Sequence, residues 1–223
     1  IGVRLVGSEM CIRDSPYITY SEIRLQLGVL EKELWLYRAL NGRTIVFSKD
    51  IAEKSTTLTY GYDVALGIAS IIGKETAFGE AFHITSDESY TWKEILEIYL
   101  DTIEKKTGMR PKVLLLDKSP HLEWIGAKWQ VILDRYYNRR FDNSKIQQYI
   151  DTSQFVRTES GLISCLESFL CHPQFKKMGW GIQGTYDRIT GEWAPFSEIS
   201  IIKDCISYLL HRTVVPPKSK LSI

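Results

Sequence analysis

The chain has 223 residues, 44% hydrophobic and 12% aromatic, with 28 Lys and Arg against 27 Asp and Glu and a formal net charge of +1. That is enough apolar material for a buried core in one domain or two small ones, and the balanced charge offers no basic or acidic surface to attract a nucleic acid. The longest apolar runs, such as Val113 to Leu116, fall far short of the roughly 18 to 20 residues that cross a bilayer, so no membrane partner is expected either.

Leu5 to Ser15 has neither helical nor strand periodicity, and Ile1 to Ser15 lacks the basic start and apolar centre of a signal peptide. Pro16 to Tyr20 is an extended, strand-exit segment. From Arg24 to Leu40 apolar residues return at helical spacing, at Leu27, Leu30, Leu34, Leu36, Tyr37 and Leu40. Asn41-Gly42 stops that helix, because glycine accepts the left-handed backbone that follows a helix end. Thr44 to Phe47 predicts a strand and Ser48 to Thr56 a polar loop. Asp63 is placed as the N-cap of a helix over Val64 to Ile72, closed by Gly73, and Ala81 to Thr85 as a strand.

Thr91-Trp92-Lys93-Glu94 has the form of a capping box, in which hydroxyl and carboxylate satisfy each other's free backbone donors. Its helix runs to Thr107, with Trp92, Ile95, Leu96, Tyr99 and Ile103 on one face and Gly108 as the stop. Lys112 to Leu116 predicts a buried strand. Helices are expected over Pro120 to Gln130, Asn143 to Tyr149, Glu159 to Cys171 and Ser197 to His211. Lys176 to Trp193, with Gly179, Gly181, Gly184 and Gly191 and no clear period, reads as a loop or appended excursion, and the tail from Val215 as mobile. Trp35, Trp92, Trp124 and Trp129 suit packing, and His83, between Phe82 and Ile84, suits a core or strand edge.

Strands alternating with helices make this an α/β pattern. GxxxxGK does not occur, and the one GxGxxG, Gly179 to Gly184, follows no predicted strand, so a nucleotide cradle, if the protein has one, lies outside this chain. Cys11, Cys165, Cys171 and Cys205 are dispersed, with no CxxC and no His at ligand spacing. This argues against a disulfide framework or a zinc site and fits reduced thiols in the cytoplasm.

Taken in order, Pro16 to Tyr20 (PYITY), Asn41 to Val46 (NGRTIV), Thr59 to Ala65 (TYGYDVA), Gly79 to Thr85 (GEAFHIT), Thr91-Trp92 and Arg140 to Lys145 (RFDNSK) resemble the second half of the extended short-chain dehydrogenase/reductases. These are the NAD-dependent epimerases and dehydratases that modify nucleotide sugars. The resemblance covers Pro16 to about Leu170 and implies the C-terminal part of a Rossmann-like fold, with a mixed α/β substrate lobe and a helical C-terminus. It divides the chain into 16–172, where that part and the lobe interleave, and 173–223, an appended loop, helix and tail.

It further implies NAD or NADP as cofactor, a nucleotide-sugar substrate and a parent of homodimeric type. Pro16 and Tyr17 stand where the family's strand exit contacts the nicotinamide carboxamide, the alternative being a strand-ending proline. Tyr20 matches a family tyrosine, although Ser21 replaces the usual glycine, and the loop after it makes Glu22, Arg24 and Gln26 substrate candidates. Solvated loop side chains are the competing reading. Thr56 stands where the family has an arginine that clamps the nucleotide diphosphate. A neutral hydroxyl cannot replace a bidentate guanidinium, so phosphate binding would shift to Lys49, Lys54 or Arg140. Arg135, Arg139 and Arg140 form a cationic cluster that suits phosphate or plain solvation.

The family's chemistry needs a Tyr-x-x-x-Lys pair, in which the lysine lowers the tyrosine's pKa so that a phenolate serves as base. No such pair with matching context follows Pro16. The resemblance places it, and the glycine-rich turn, upstream, so no catalytic residue is assigned and the chain by itself is expected to be inactive. Leu5 to Ser15 resembles the translation of a tagmentation sequencing adapter. Residues 1–15 are therefore expected to be artefactual. A non-catalytic member of the same fold that senses a dinucleotide or scaffolds a partner is the alternative.

Overall fold

The computed structural model describes residues 18–123, 127–176 and 178–214. Strand β1 (Ile18–Tyr20) leads into helix α1 (Lys32–Leu40), followed by β2 (Ile45–Ser48), α2 (Lys49–Ala52), β3 (Ser55–Thr56), β4 (Leu58–Tyr60) and α3 (Gly61–Ile71). Then come β5 (Tyr90–Thr91), α4 (Trp92–Thr107), β6 (Val113–Leu116), α5 (Lys128–Gln130), α6 (Thr158–Cys171), α7 (Trp180–Thr190) and α8 (Ile202–Leu209). The class is mixed α/β. β1 pairs in parallel with β4 and β2 with β6, while β3 and β5 are antiparallel. Parallel neighbours cannot be joined by a hairpin, so each pair is closed by a crossover that contains helices.

The main core lies between these strands and helices α1, α4 and α6. Its centre is Trp35, stacked on Tyr99 at 4.6 Å between ring centroids, with its indole N–H donating to the Leu25 carbonyl at 3.0 Å. The capping box is present. The Glu94 N–H donates to Thr91 Oγ1 at 3.2 Å and the Thr91 N–H to the Glu94 carboxylate at 2.6 Å, and α4 ends at Gly108 with φ +75°. Its predicted face, Trp92, Ile95, Leu96, Tyr99 and Ile103, is buried.

Elsewhere the chain departs from the predicted elements. The helix expected from Arg24 begins only at Lys32, because Gly28 takes φ +59° and two tight turns, Ser21 to Arg24 and Leu27 to Leu30, occupy the segment before it. Leu25, Leu27 and Leu30 are nevertheless buried, so their period reported burial rather than helix. Ser48 to Thr56 is not a loop but carries α2 and β3. Asp63 is not an N-cap: it lies inside α3, buried, and its carboxylate accepts the Val156 N–H at 2.9 Å.

Ala81 to Thr85 forms no assigned strand, although Phe82 and Ile84 are buried, and His83 is exposed with its ring against Phe141. β6 is only partly covered, with Leu115 exposed. Asn143 to Tyr149 makes a single 3-10 turn, and Trp129 is exposed rather than packed. Trp124 and the tail from Val215 lie outside the described residues.

The largest departure is α7, which lies where the glycine-rich text predicts a loop. Gly184 lets α7 approach α8 so closely that an added Cβ would stand 2.4 Å from the Tyr208 carbonyl oxygen. The face of α7 turned to α1 carries Asp187, fully buried. Its carboxylate accepts from Arg38 at 2.6 Å, Arg43 at 3.3 Å and the Tyr208 hydroxyl at 2.8 Å. Arg38 is itself fully buried, and donates further to the Thr44 carbonyl at 2.7 Å, Gln183 at 3.1 Å and Glu192 at 3.0 Å. Arg43 reaches Glu198 at 3.0 Å.

A buried carboxylate removed from such a cluster leaves two buried guanidinium groups with only the less buried Glu192 and Glu198 as counter-charges, a change that costs about 3 to 5 kcal/mol. Asp187→Ala is expected to lower the urea unfolding free energy by about that amount, and a loss below about 1 kcal/mol would show the cluster to be solvated. His121 gives a second expectation. It is buried with Nε2 2.5 Å from the Tyr186 hydroxyl, and burial pulls its pKa from 6.5 down to about 4. Between those values the unfolded chain binds the proton and the folded one does not. Stability is therefore expected to be full above pH 6.5 and to fall as pH drops towards 4. Urea midpoints measured across that window should flatten in His121→Gln, and an unchanged slope in the variant would exclude His121 as the source.

Candidate functional site

In parallel α/β pairs, ligands gather outside the carboxyl ends of the strands, where successive loops diverge. Here those ends are Tyr20 on β1 and Tyr60 on β4, which are in register. Pro16 and Tyr17, the predicted cofactor contacts, lie outside the described residues.

Tyr20 faces inwards. It is buried, its ring lies 5.6 Å from that of Tyr60, and its hydroxyl rests on α6, where a Cβ at Gly161 would stand 2.1 Å away. Burial raises its pKa, with Cys165, Asp63 and Glu88 adding to the rise, so it remains a neutral phenol. Its oxygen has no hydrogen-bond partner among the described residues. Gln26 is also buried. Its backbone carbonyl accepts the Tyr99 hydroxyl at 3.3 Å, and its Oε1 is likewise unpartnered among the described residues. Gln26 is therefore not a solvated loop side chain, whereas Glu22 and Arg24 are exposed.

Glu22 is held in place. Tyr60 donates its hydroxyl to the Glu22 carboxylate at 2.9 Å, and that hydrogen bond, with some burial, raises the Tyr60 phenol to about 12. Sequence reasoning missed Tyr60 as an orienting group, although its place at a strand exit next to Gly61 was visible. Arg24 lies 3.7 Å from Glu31 in a solvent-exposed pair.

The second part of the site is β3. Thr56 is buried, and its hydroxyl has no partner among the described residues. The 138–140 segment is laced onto this strand: Ser55 N–H donates to Asn138 Oδ1 at 2.9 Å, Arg139 N–H to the Ser55 carbonyl at 2.9 Å, and Thr57 Oγ1 to the Arg139 carbonyl at 3.0 Å. Arg140 thus emerges beside Thr56. It is exposed and, among the described residues, has neither an ion pair nor a hydrogen bond.

The other two arginines of the cluster are engaged. Arg135 is buried, with its Nε donating to the Gly28 carbonyl at 3.0 Å and its guanidinium 5.6 Å from the Trp92 ring centroid. Arg139 pairs with Asp134 at 3.0 Å. Lys49 is not brought to this edge. It follows β2 and pairs with Asp117, which follows β6, at 2.8 Å. Lys54 is half-buried, and its carbonyl accepts the Trp92 N–H at 3.0 Å. Among the described residues no group of three or more His, Cys, Asp or Glu could hold a metal, and no helix is long and apolar enough to cross a membrane.

No family model matches the sequence, and no curated protein does. The solved structures similar to the chain include epimerases acting on nucleotide sugars. One is the UDP-glucuronic acid 4-epimerase of Bacillus cereus in complex with UDP-glucuronic acid and NAD, at 18% identity and TM-score 0.48, over 69% of this chain and 43% of that one. Another is the UDP-glucose 4-epimerase of Thermotoga maritima with UDP-glucose, at 17% identity and TM-score 0.45, over 70% of this chain and 45% of that one. A third is an epimerase of Methanothermobacter thermautotrophicus, at 19% identity and TM-score 0.46, over 60% and 35%. The chain therefore spans less than half the length of each of these proteins.

The contact between Tyr20 and Gly161 is testable. Gly161→Ala forces overpacking and is expected to cost about 1 to 3 kcal/mol. Tyr20→Phe alone, which removes a buried hydroxyl that lacks a partner, is expected to be close to neutral. Combined, the two changes should recover part of the loss in thermal midpoint, and strict additivity would sink the contact.

Proposed function

We propose that the chain is the substrate-binding half of an NAD(P)-dependent enzyme that modifies nucleotide sugars, an epimerase or dehydratase with a reductase as the remaining variant. The observation that carries this is Arg140. It is an exposed guanidinium with no partner among the described residues, next to the buried Thr56 whose place the family gives to the phosphate clamp. A guanidinium supplies the planar, paired donors that a diphosphate needs. Arg140 is thus assigned to the diphosphate, and Glu22, oriented by Tyr60, to the sugar hydroxyls. Lys49 is left out, engaged by Asp117 at another strand pair.

The cofactor would supply reversible hydride transfer. The chain's one GxGxxG, Gly179 to Gly184, follows no strand and packs α7 against Ser207 and Tyr208 of α8, so the chain's own part is limited to the nicotinamide end at Pro16 and Tyr17. Its residues bind and orient the substrate, and the catalytic base belongs upstream of Pro16. We place the protein in the cytoplasm, with 16–172 as the binding part and 173–223 as an appended part.

One observation favours the non-catalytic alternative. The hydroxyls of Tyr20 and Thr56 and the side-chain carbonyl of Gln26 are all buried, which withdraws three candidate groups from a ligand. The full reading frame that contains this sequence decides between the two. With a Tyr-x-x-x-Lys pair and a glycine-rich turn upstream, the expressed protein is expected to turn over a member of a nucleotide-sugar panel, followed by product analysis and NAD(P)H absorbance. Arg140→Ala should then raise KM by about tenfold or more with little change in kcat, the signature of lost uniform binding. Absence of both motifs together with no turnover would establish the non-catalytic reading.

A further inference from the structure

The amino ends of β2 and β6 hold a cavity that the site above does not use. It has a volume of about 290 Å³ and is closed by the last turns of α1 and α4. It lies at a different strand pair and at the opposite strand ends from the edge that carries Glu22 and Tyr60. Its apolar wall includes Leu40, Ile103 and Met109. Its charged lining is cationic throughout, consisting of Arg43, Arg110 and Lys112, with no carboxylate.

The three cations differ in what already satisfies them. Arg110 is held by Glu97, Asp101 and Glu104, all solvent-exposed residues on the outer side of α4. Arg43 is 5% exposed, and its two terminal nitrogens are taken by Asp187 and Glu198. Its Nε is buried and has no hydrogen-bond partner among the described residues. Lys112 is exposed and, among the described residues, has no ion pair.

Two helix C-termini also reach the cavity, and some of their carbonyls are already bonded. The carbonyls of Tyr37, Arg38 and Ala39 at the end of α1 accept from Asn41, Arg43 and Gly42, and those of Ile103 and Glu104 at the end of α4 accept from Thr107 Oγ1 and the Gly108 N–H. These bonds satisfy part of each helix end, and an anion is therefore placed on the strand side, at Lys112. A concave, mostly apolar wall with a few fixed polar groups is the usual form of a small-molecule site.

We propose that this cavity binds a small monoanion with an apolar body, a carboxylate carrying a short alkyl chain or a single ring. The apolar body packs against Leu40, Ile103 and Met109. The carboxylate faces Lys112, which among the described residues no carboxylate already pairs. The volume sits at the lower end of ligand-site sizes, which excludes a nucleotide or a full-length fatty acid.

The test is isothermal titration calorimetry of the 223-residue chain with octanoate and with 3-phenylpropanoate, using octylamine and octan-1-ol as the cationic and neutral probes. Saturable binding of at least one carboxylate is expected, about tenfold or more tighter than either control. Whichever carboxylate binds more tightly identifies the body as chain or ring. Lys112→Glu should weaken that binding by about tenfold or more and Lys112→Gln by less, with the thermal midpoint of the free protein unchanged because the side chain is exposed. Should Lys112→Glu fail to fold, Lys112→Gln decides alone. The proposal is overturned by no binding of either carboxylate, by octylamine binding equally well, or by carboxylate binding that the Lys112 variants leave intact.

Discussion

The constraint on which the fold depends is a carboxylate that water cannot reach. Asp187 accepts from two arginines and a tyrosine, and all four side chains belong to different parts of the chain: α1, the turn before β2, α7 and α8. In a low-dielectric interior such charges are tolerable only when every one is paired and hydrogen-bonded. The cluster meets that condition almost everywhere. Arg38 reaches Asp187, Gln183, Glu192 and the Thr44 carbonyl, and Arg43 adds Glu198. Its residual defect is the Arg43 Nε, buried without a partner among the described residues. Because Arg43 immediately precedes the strand segment, the same contacts that anchor the C-terminal helices also set where β2 begins.

The candidate site follows from a second packing condition. Gly161 on α6 leaves room for the Tyr20 hydroxyl, so the end of β1 can sit directly beneath the helix. With Tyr20 turned inwards, the groups left at the strand edge are Glu22, fixed by Tyr60, and Arg140, delivered by the lacing of 138–140 onto β3. The edge therefore presents one oriented anion and one unpaired cation. The Thr56 hydroxyl and the Gln26 side-chain carbonyl are buried beneath it, without a partner among the described residues.

Part of this was legible beforehand. The Thr91 to Glu94 box and the Gly108 stop are local rules, written in the identity of adjacent residues, and the structure reproduces both. The strands at Ile45 and Val113 follow their β-branched and aliphatic content. The site was legible less evenly. Glu22 and Arg140 were among the candidates, but nothing in a linear text distinguishes an arginine that bonds the Gly28 carbonyl, as Arg135 does, from one left without a partner. The Arg24 to Leu30 segment shows the same limit from the other side, since apolar spacing records which residues are buried and not the backbone that buries them.

What the sequence by itself determined is the α/β class, the α4 boundaries and the set of residue types available to a ligand, because these depend on periodicity, caps and composition. What only the tertiary structure decided is the use made of the glycines and charges. Gly181 and Gly184 look like loop punctuation, yet they lie in α7 where side chains of α8 and its backbone come too close for a Cβ. Arg38, Arg43 and Asp187 look like surface charges, yet they form the buried joint of the molecule. In both cases the deciding partner is more than a hundred residues away or on a neighbouring helix, as the Arg38 to Asp187 separation of 149 residues shows. A residue's own neighbours in sequence carry no record of a contact that only folding creates.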